Sequence, residues 1–496
     1  MNFQSFKSFS NFYIPKRFII IILCMTGIII SYADRSNMAI AIVYMSIDFH
    51  FSSTIQGVIL SSFFLGYITT QTLGGALADK YGGKWVLASS AALWTLFTFL
   101  TPFSAQIGLG YLLLCRILLG IGEGACFPTV NSLIASWFPM EEGSKAVSAI
   151  VSSAYIGIVV ALPISTWLGS SSLGWPGIFW VFGIAGFVWS ILWQIYGKSS
   201  PNEYSGISQE ELDLITKSKP KNRLRKNLSY HKIESGEVFI ESSTNENEND
   251  YTADIPLTPS NVIEENNEFE AEVDVLLPDN SNNLIPSNPK EVPWKFLFSR
   301  REVWAILIGQ FCNSFGGFII LNWLPIYFLD RFKLDIETFG YYSVLPYGTQ
   351  GATGIITGFI SDYAINKLNI RVKTVRRSAQ IIGAVGISTF LLCTAYLAQT
   401  PLQGIILLSI GTALNSFFIC GVQVSQLDIA PKYAGTIYGL GNTFAGIPAI
   451  LGVAFTGWIL DITDRNWNVV WILVTIFYSI GSIFFVSWVG DKVIIE

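Results

Sequence analysis

Four ionisable residues stand inside long apolar runs of this 496-residue chain: Asp34 and Arg35 within 18–43, Arg116 and Glu123 within 107–137. Holding a charge in apolar surroundings costs about 2.5–3.5 kcal/mol or more, so each marks a place where something is bound, paired or moved. A guanidinium stays charged and grips a carboxylate or phosphate through two parallel hydrogen bonds. A carboxyl set among glycines and apolar residues can take up a proton or stay locked in an ion pair. Arg116 and Glu123 are seven apart, which places them on one helix face about 10 Å apart. That is too far for a direct pair, so each needs a partner elsewhere or a hydrated cavity. Gly120, Gly122 and Gly124 thin the helix beside them and allow close packing or access to a ligand. Arg116 therefore reads either as an anion clamp or as part of a structural Arg–Glu network.

Asp34 and Arg35 are neighbours, so their side chains point about 100° apart and cannot both face one partner. Asp34 is expected to balance Arg35 or Arg116, and Asn37 to share the face of Arg35. Tyr67 and Gln71, at i and i+4 on the second apolar run, could line the same cavity with a hydroxyl and an amide; helix packing is the plain alternative. Glu123 and Asp34 are the two candidates for carrying a coupling proton. Asp34 has an adjacent Arg to hold it ionised, whereas Glu123 lies among glycines and apolar residues.

Other chemistries lack their residues. The two histidines, His50 and His231, lie outside the apolar runs, which excludes a His metal centre or a membrane His relay. The six cysteines (24, 115, 126, 312, 393 and 420) sit singly in apolar runs and read as packing residues. No phosphate-cradling loop, nucleophile–base pair or metal cluster is apparent, so the chain is expected to be no enzyme and to need no cofactor or metal. Nucleic acid is not an expected partner.

The elements that must hold these residues follow from hydropathy. Hydrophobic residues make up 51% of the chain and charged residues 13%, against about 25% charged in soluble domains; mean hydropathy is +0.48. A bilayer core of about 30 Å needs about 20 apolar residues per helix. Such runs occur near 18–43, 56–78, 85–103, 107–137, 146–169 and 177–197, then near 303–328, 338–361, 378–399, 402–427, 434–460 and 469–490. The spacing predicts an all-α membrane protein of twelve transmembrane helices. It divides into an N-terminal six-helix bundle (1–197), an acidic linker (198–302) and a C-terminal six-helix bundle with a short tail (303–496). The linker holds 12 Lys/Arg and 20 Asp/Glu, and its low hydrophobicity predicts disorder for much of 217–290. No cleavable signal peptide is apparent, and the first run reads as a spanning helix.

Basic residues orient the chain. With the N-terminus inside, thirteen Lys/Arg of the short segments face the cytosol: Lys7, Lys16, Arg17, Lys80, Lys84, Lys145, Lys367, Arg371, Lys373, Arg376, Arg377, Lys432 and Lys492. Only Arg331, Lys333 and Arg465 face the other side. Both termini and the linker are thus expected in the cytosol, where the sequon at Asn227 would go unused.

The chain also repeats. Gly75-Ala-Leu-Ala-Asp79-Lys80-Tyr-Gly82-Gly83-Lys84 closes the second run and Gly358-Phe-Ile-Ser-Asp362 closes the eighth, both Gly and Asp recurring at an offset of 283. Two pseudo-symmetric halves with a site at their interface is a transporter architecture. Such loops suit a gate: glycine lets helices approach closely and Asp latches one face. The gating set is Gly75, Asp79, Lys80, Gly82, Lys84 and Asp362, with Asp428 as a cap or latch before Pro431.

The stretch Gly75–Lys84 resembles the signature loop of the major facilitator superfamily. Further runs resemble its anion:cation symporter branch, which includes sialin, the vesicular glutamate transporters, sodium/phosphate cotransporters and plant phosphate-transporter relatives. These runs are Gly66-Tyr67-Ile-Thr-Thr-Gln71, Arg116-Ile-Leu-Leu-Gly120-Ile-Gly122-Glu123-Gly124 with Pro128, Trp323-Leu-Pro325-Ile-Tyr327-Phe, Asp428-Ile-Ala-Pro431-Lys-Tyr433-Ala-Gly435 and Gly439-Leu-Gly441-Asn442-Thr443. The resemblance implies the major facilitator fold and an anion-contacting role for Arg35. This chain departs from several members at Asn131, Asn313, Leu119 and Ser425-Gln426, where they carry His, Arg, Glu and Asn-His. Those departures weaken glutamate and sialic acid as substrates.

The expectation is a secondary active transporter of a small organic or inorganic anion, working by alternating access with H+ or Na+ as coupling ion. Phosphate, a sugar acid and a carboxylate metabolite stay open as cargo, and a non-transporting receptor or channel is the rival class. The lipid bilayer is its surroundings and a monomer its functional unit. Glu272-Val-Asp-Val-Leu276-Leu277 and Tyr204-Ser-Gly-Ile207 resemble endosomal sorting signals, leaving plasma membrane and endolysosomal or vesicular membrane both open.

Overall fold

A computed structural model of the chain describes residues 15–204, 206–217, 228–232, 238–242, 294–430 and 434–490. Lys7, Asn227, Lys432, Lys492, the 272–277 run and the side chain of Asp79 lie outside the described residues.

The N-terminal half is built from α1 (Lys16–Asp48), α2 (Ser53–Tyr81), α3 (Gly83–Ile107), α4 (Leu109–Gly124), α5 (Cys126–Trp137), α6 (Met140–Ser170) and α7 (Gly174–Tyr196). After α8 (Gln209–Lys217) and an antiparallel pair, β1 (Leu228–Lys232) with β2 (Val238–Ser242), comes α9 (Trp294–Ser299). The C-terminal half holds α10 (Arg301–Phe332), α11 (Ile336–Tyr342), α12 (Val344–Asn366), α13 (Val372–Tyr396), α14 (Pro401–Asn415), α15 (Val424–Ile429), α16 (Ala434–Ile462) and α17 (Trp467–Trp488). The chain forms two compact units. One carries both halves, and the other comprises Pro139–Glu141 and Ser208–Phe296.

Ten helical runs among the described residues are long and apolar enough to cross a membrane. Counted with them, α2 and the α11–α12 run make twelve; both are richer in Gly, Ser, Thr and Gln, as befits helices that face polar groups inside the bundle. Two spans are interrupted. The fourth breaks at Ala125, between α4 and α5, and the tenth carries a π turn at Ile419–Gln423 between α14 and α15. Such interruptions persist at membrane depth only where the protein itself satisfies the freed backbone groups. Here Thr129 Oγ1 donates to the carbonyl of Ala125 at 2.7 Å, and Thr70 Oγ1 to that of Ile121 at 2.8 Å.

Successive spans run in opposite directions. At the end where α1 begins, called here the terminal end, Arg17 pairs with Glu142 at 3.3 Å and Lys84 Nζ donates to the carbonyl of Gln194 at 3.2 Å. At the far end Trp175 Nε1 donates to Asp48 at 2.8 Å and Trp467 Nε1 to Asp330 at 2.9 Å. The largest apolar core lies at the far end and draws on both halves, with Met38, Ile42, Ile59 and Trp175 joined to Trp323, Val453, Trp467 and Trp471. A second core, around Trp94, Trp137 and Trp193, fills the terminal end of the N-terminal half.

The halves are also locked polar-to-polar at the far end. Asp461, at the end of α16, accepts the backbone N–H groups of Ser53 at 2.9 Å and Thr54 at 2.8 Å, the first two of α2. A carboxylate there meets both the orphan donors and the positive end of the helix dipole. Glycine at 457 makes this approach possible, since any side chain there would strike the backbone of Ser53. Within the N-terminal half α2 and α4 touch backbone to backbone. A Cβ on Gly66 would collide with the carbonyl of Ile117, and one on Gly120 with that of Phe63.

Candidate functional site

Between mid-bundle and the terminal end the two halves enclose a cavity of about 320 Å³. Tyr32 and Arg35 reach it from α1, Tyr67 and Gln71 from α2, and Tyr155 from α6. The other half contributes Asn313 from α10, Gln350 from α12, Asn415 and Gln423 from the interrupted tenth span, and Tyr438 and Asn442 from α16. Arg35 is the one charged side chain among the described residues that line it. The remaining polar side chains are phenols, amides and the hydroxyls of Ser314 and Ser416, which donate and accept without charge.

Arg35 is packed among three aromatic rings. Its guanidinium carbon lies 4.5 Å from the ring centres of both Tyr32 and Tyr67, and 5.1 Å from that of Phe63. Such cation–π contacts gain strength when desolvated. Nη2 donates to Oε2 of Glu123 at 3.2 Å, a pair buried on both sides. Tyr32 and Arg35 face one way because three residues separate them on α1.

The arrangement corrects several expectations. Asp34 does not balance Arg35, because Arg35 turns the other way round α1 to reach Glu123 on α4. Asp34 instead lies beside Thr98 of α3, with Glu123 and Arg116 as its charged neighbours. Glu123 is therefore not a carboxyl among apolar groups alone, and Arg35 holds Glu123 rather than Asp34. Arg116, expected at the ligand, is buried and absent from the cavity wall; its guanidinium stacks 5.5 Å over Phe63. It sits two turns nearer the far end than Glu123, at the level where the apolar core closes. Asn37 is likewise buried away from the cavity, since two positions along a helix turn it to the opposite face from Arg35. Tyr67 and Gln71 do stand together on the wall.

The sequence model of the Major Facilitator Superfamily matches residues 24–453. The chain belongs to the major facilitator superfamily. Its relatives place it in the anion:cation symporter branch. It is 31% identical over 473 residues to the chloroplastic ascorbate transporter of Arabidopsis thaliana, covering 95% of this chain and 74% of that one. It is 30% identical to sodium-dependent phosphate transport protein 1, chloroplastic, of the same plant, covering 97% of this chain and 80% of the other. Among solved structures it resembles a bacterial homologue of the human lysosomal transporter Spinster, inward-facing and unoccupied (TM-score 0.65, 14% identity, 96% and 97% covered). The inward-open xylose transporter of E. coli is similar (TM-score 0.63, 14% identity, 96% and 97% covered); at these identities both show the fold alone. The chain is thus a multi-pass membrane transporter and not an enzyme.

Within this major facilitator the signature loop joins α2 to α3. Gly82 takes a φ of +88°, a value side chains rarely adopt. The backbone N–H of Lys84 donates to Ser199 Oγ at 3.1 Å, Lys80 is exposed with its ammonium 5.1 Å from the Tyr81 ring, and Gly75 packs near Pro128. In the second half Asp362 is exposed, while Asp428 accepts from Arg376 Nε at 2.7 Å and Nη2 at 3.3 Å. Arg376 Nη1 also reaches Ser361 at 3.1 Å and the carbonyl of Cys420 at 2.9 Å. Asp428 thus ties α15 to α13. The sorting-like Tyr204 packs edge-on against Trp137 at 5.9 Å, with Lys16 5.5 Å from its ring.

Reading the sequence for charge missed Tyr32, Tyr155, Gln350, Asn415, Gln423 and Tyr438. An available signal was the amide side chain inside an apolar run, which must find partners just as a charge must.

Proposed function

We propose that the chain is a secondary carrier of a small organic monoanion, exchanged across the membrane by alternating access and coupled to a cation. The observation that carries this reading is Arg35: the one charge among the described residues lining a cavity shared by both halves, already bonded to a carboxylate. An incoming anion competes with Glu123 for the same guanidinium. Once the anion is bound, Glu123 is left buried without its counter-charge unless a proton or metal cation neutralises it, and an uncompensated buried charge is costly. Anion and cation therefore favour each other's binding, which is the thermodynamic content of symport.

The cavity favours an organic anion over inorganic phosphate. Ringed by Tyr32, Tyr67, Tyr155 and Tyr438 and by six amides, it offers many neutral partners for hydroxyls and carbonyls and one cation for one negative head. The names of the Arabidopsis relatives, one for ascorbate and one for phosphate, support anion transport in general. With the basic loops in the cytosol, the terminal end faces inward and the cavity is reached from that side, the far end being closed by Asp461 and the apolar core. Arg116 acts from behind the site as a structural counter-charge to Asp34. The signature-loop residues Gly75, Asp79, Lys80, Gly82 and Lys84, with Asp362 and Asp428, serve the terminal-end gate. The cavity is complete within one chain, so a monomer suffices.

The test is counterflow in proteoliposomes loaded with sugar acids, carboxylates or phosphate. Trans-stimulated exchange of an organic anion, lost in Arg35→Lys because the ammonium lacks the planar fork, is the expected result. Exchange of phosphate alone would overturn the choice of substrate. Absence of trans-stimulation with every anion would favour a receptor or channel.

A further inference from the structure

On the seam between the halves, α6 runs antiparallel to α11 and α12, and the glycines of the latter two record the register. A side chain on Gly340 would strike Thr166. A Cβ on Gly348 would stand 4.0 Å from Val159, and one on Gly351 3.1 Å from the Cβ of Tyr155. Eleven residues forward, from Gly340 to Gly351, thus match eleven back, from Thr166 to Tyr155. Eleven residues make about three helical turns, so each helix keeps one face to the other. Toward the terminal end the seam parts. Among the described residues, a Cβ on Gly354 would meet only Ile419 of its own half within 4 Å, and one on Gly358 nothing. Lys145 and Ser148 of α6 and Asp362 of α12 are exposed there. The parting begins at the level of the cavity, whose wall includes Tyr155 and Gln350.

We propose that α6 and α12 close on one another in this same register, docking Gly358 against Ser148 and pairing Asp362 with Lys145 to shut the terminal end. Rigid-body rocking about the Tyr155–Gly351 contact changes the splay of the two helices and leaves their register as it is. Seven residues on from Gly351 is Gly358, and seven back from Tyr155 is Ser148. Seven residues are close to two turns, so both lie on the faces already in contact. Gly358 carries no side chain to hold the backbones apart. One turn further, Asp362 falls opposite Lys145, which stands three residues before Ser148. Opposite charges brought together there favour the closed form; in the open form each faces solvent and their attraction is screened. Lys145 thereby becomes a gating residue, acting on the half that does not carry Asp362. Closure over a bound anion rests on the carrier reading above, but the register does not.

The experiment is oxidative crosslinking of the full chain in proteoliposomes. The Ser148→Cys/Gly358→Cys variant is compared with Ser152→Cys/Gly358→Cys, which is one turn out of register. A disulfide needs Cβ atoms about 3.8 Å apart, so a bridge forms only where the helices meet. Positions 148 and 358 lie on either side of the linker, so a bridge keeps the halves joined on a gel after a protease site placed in the linker is cut. The in-register pair should bridge about tenfold faster or more, with counterflow lost on oxidation and regained on reduction. Lys145→Asp should slow bridging and turnover about two- to fivefold without raising KM, and Lys145→Asp/Asp362→Lys should restore both. Equal bridging of the two pairs, no bridging, counterflow that persists in the bridged protein, or a double variant as slow as the single would each overturn the closure. Counterflow without bridging leaves the carrier and removes the seam; in-register bridging without counterflow of any anion, oxidised or reduced, does the reverse.

Discussion

Arg35 and Glu123 stand 88 residues apart in sequence and 3.2 Å apart in space, Arg35 on the cavity wall and Glu123 behind it. Because both are buried, neither tolerates loss of the other. Removing one partner of a buried pair costs about 3–5 kcal/mol, whereas removing both leaves no stranded charge. Arg35→Gln should therefore lower the unfolding temperature markedly, and the Arg35→Gln/Glu123→Gln double variant should recover most of it. Equal losses in single and double variants would mean that the pair is not coupled.

At the far end, Asp461 should hold the halves together through Ser53 and Thr54. Asp461→Ala removes the acceptor of two N–H groups at a partly exposed helix start, a loss of about 0.5–2 kcal/mol as for other helix N-caps. The expected outcome is a population shift toward a far-end-open form. It would be read as faster labelling of a single cysteine in place of the partly buried Ile55, with slower net uptake. Labelling at the wild-type rate would show that the apolar core alone closes this end.

The contact of α2 with α4 admits no added carbon. Gly120→Ala should push the Phe63 backbone away and with it the aromatic faces that hold Arg35. Overpacking of this kind costs about 1–3 kcal/mol. Reduced yield of folded protein, and reduced anion affinity in what remains, are expected. Wild-type stability and affinity together would contradict the close approach.

Acid should loosen the start of α11. Asp335 caps that helix, accepting the N–H of Thr338 at 2.7 Å, and these hydrogen bonds hold its carboxyl below the usual carboxylate range. A carboxyl whose pKa is lower folded than unfolded contributes stability above its unfolded value, about 3.9. That contribution is lost as pH falls through the folded value. Asp335→Asn should flatten the acid limb of the stability profile between neutral pH and about pH 3. The effect is small because the group is exposed; an unchanged acid limb would remove the cap from the account.

Apolar length and polar interruption were enough to read twelve spans from the chain, because a bilayer demands about 20 apolar residues per crossing whatever the neighbours are. The signature loop and the helix-four run pointed to the superfamily for a local reason: close helix approach needs glycine at fixed spacing. The four membrane charges were visible as well, since each contrasts with its surroundings in sequence.

Which of those charges meet was decided only by tertiary structure. Helical periodicity sets the directions of Asp34 and Arg35 relative to each other, but not which neighbouring helix lies along each direction. That depends on how α2 and α4 close on Gly66 and Gly120, bringing Tyr67 against Arg35 and Glu123 within its reach. For the same reason Arg116 and Asn37 fell behind the wall, although their residue types suited a ligand. The amides of the second half were equally hidden, because Asn and Gln become a binding surface only when helices from both halves turn them toward one space. The sequence by itself determined how many helices there are and which residues need partners; packing determined the partners, because contact between helices is made by residues far apart in the chain.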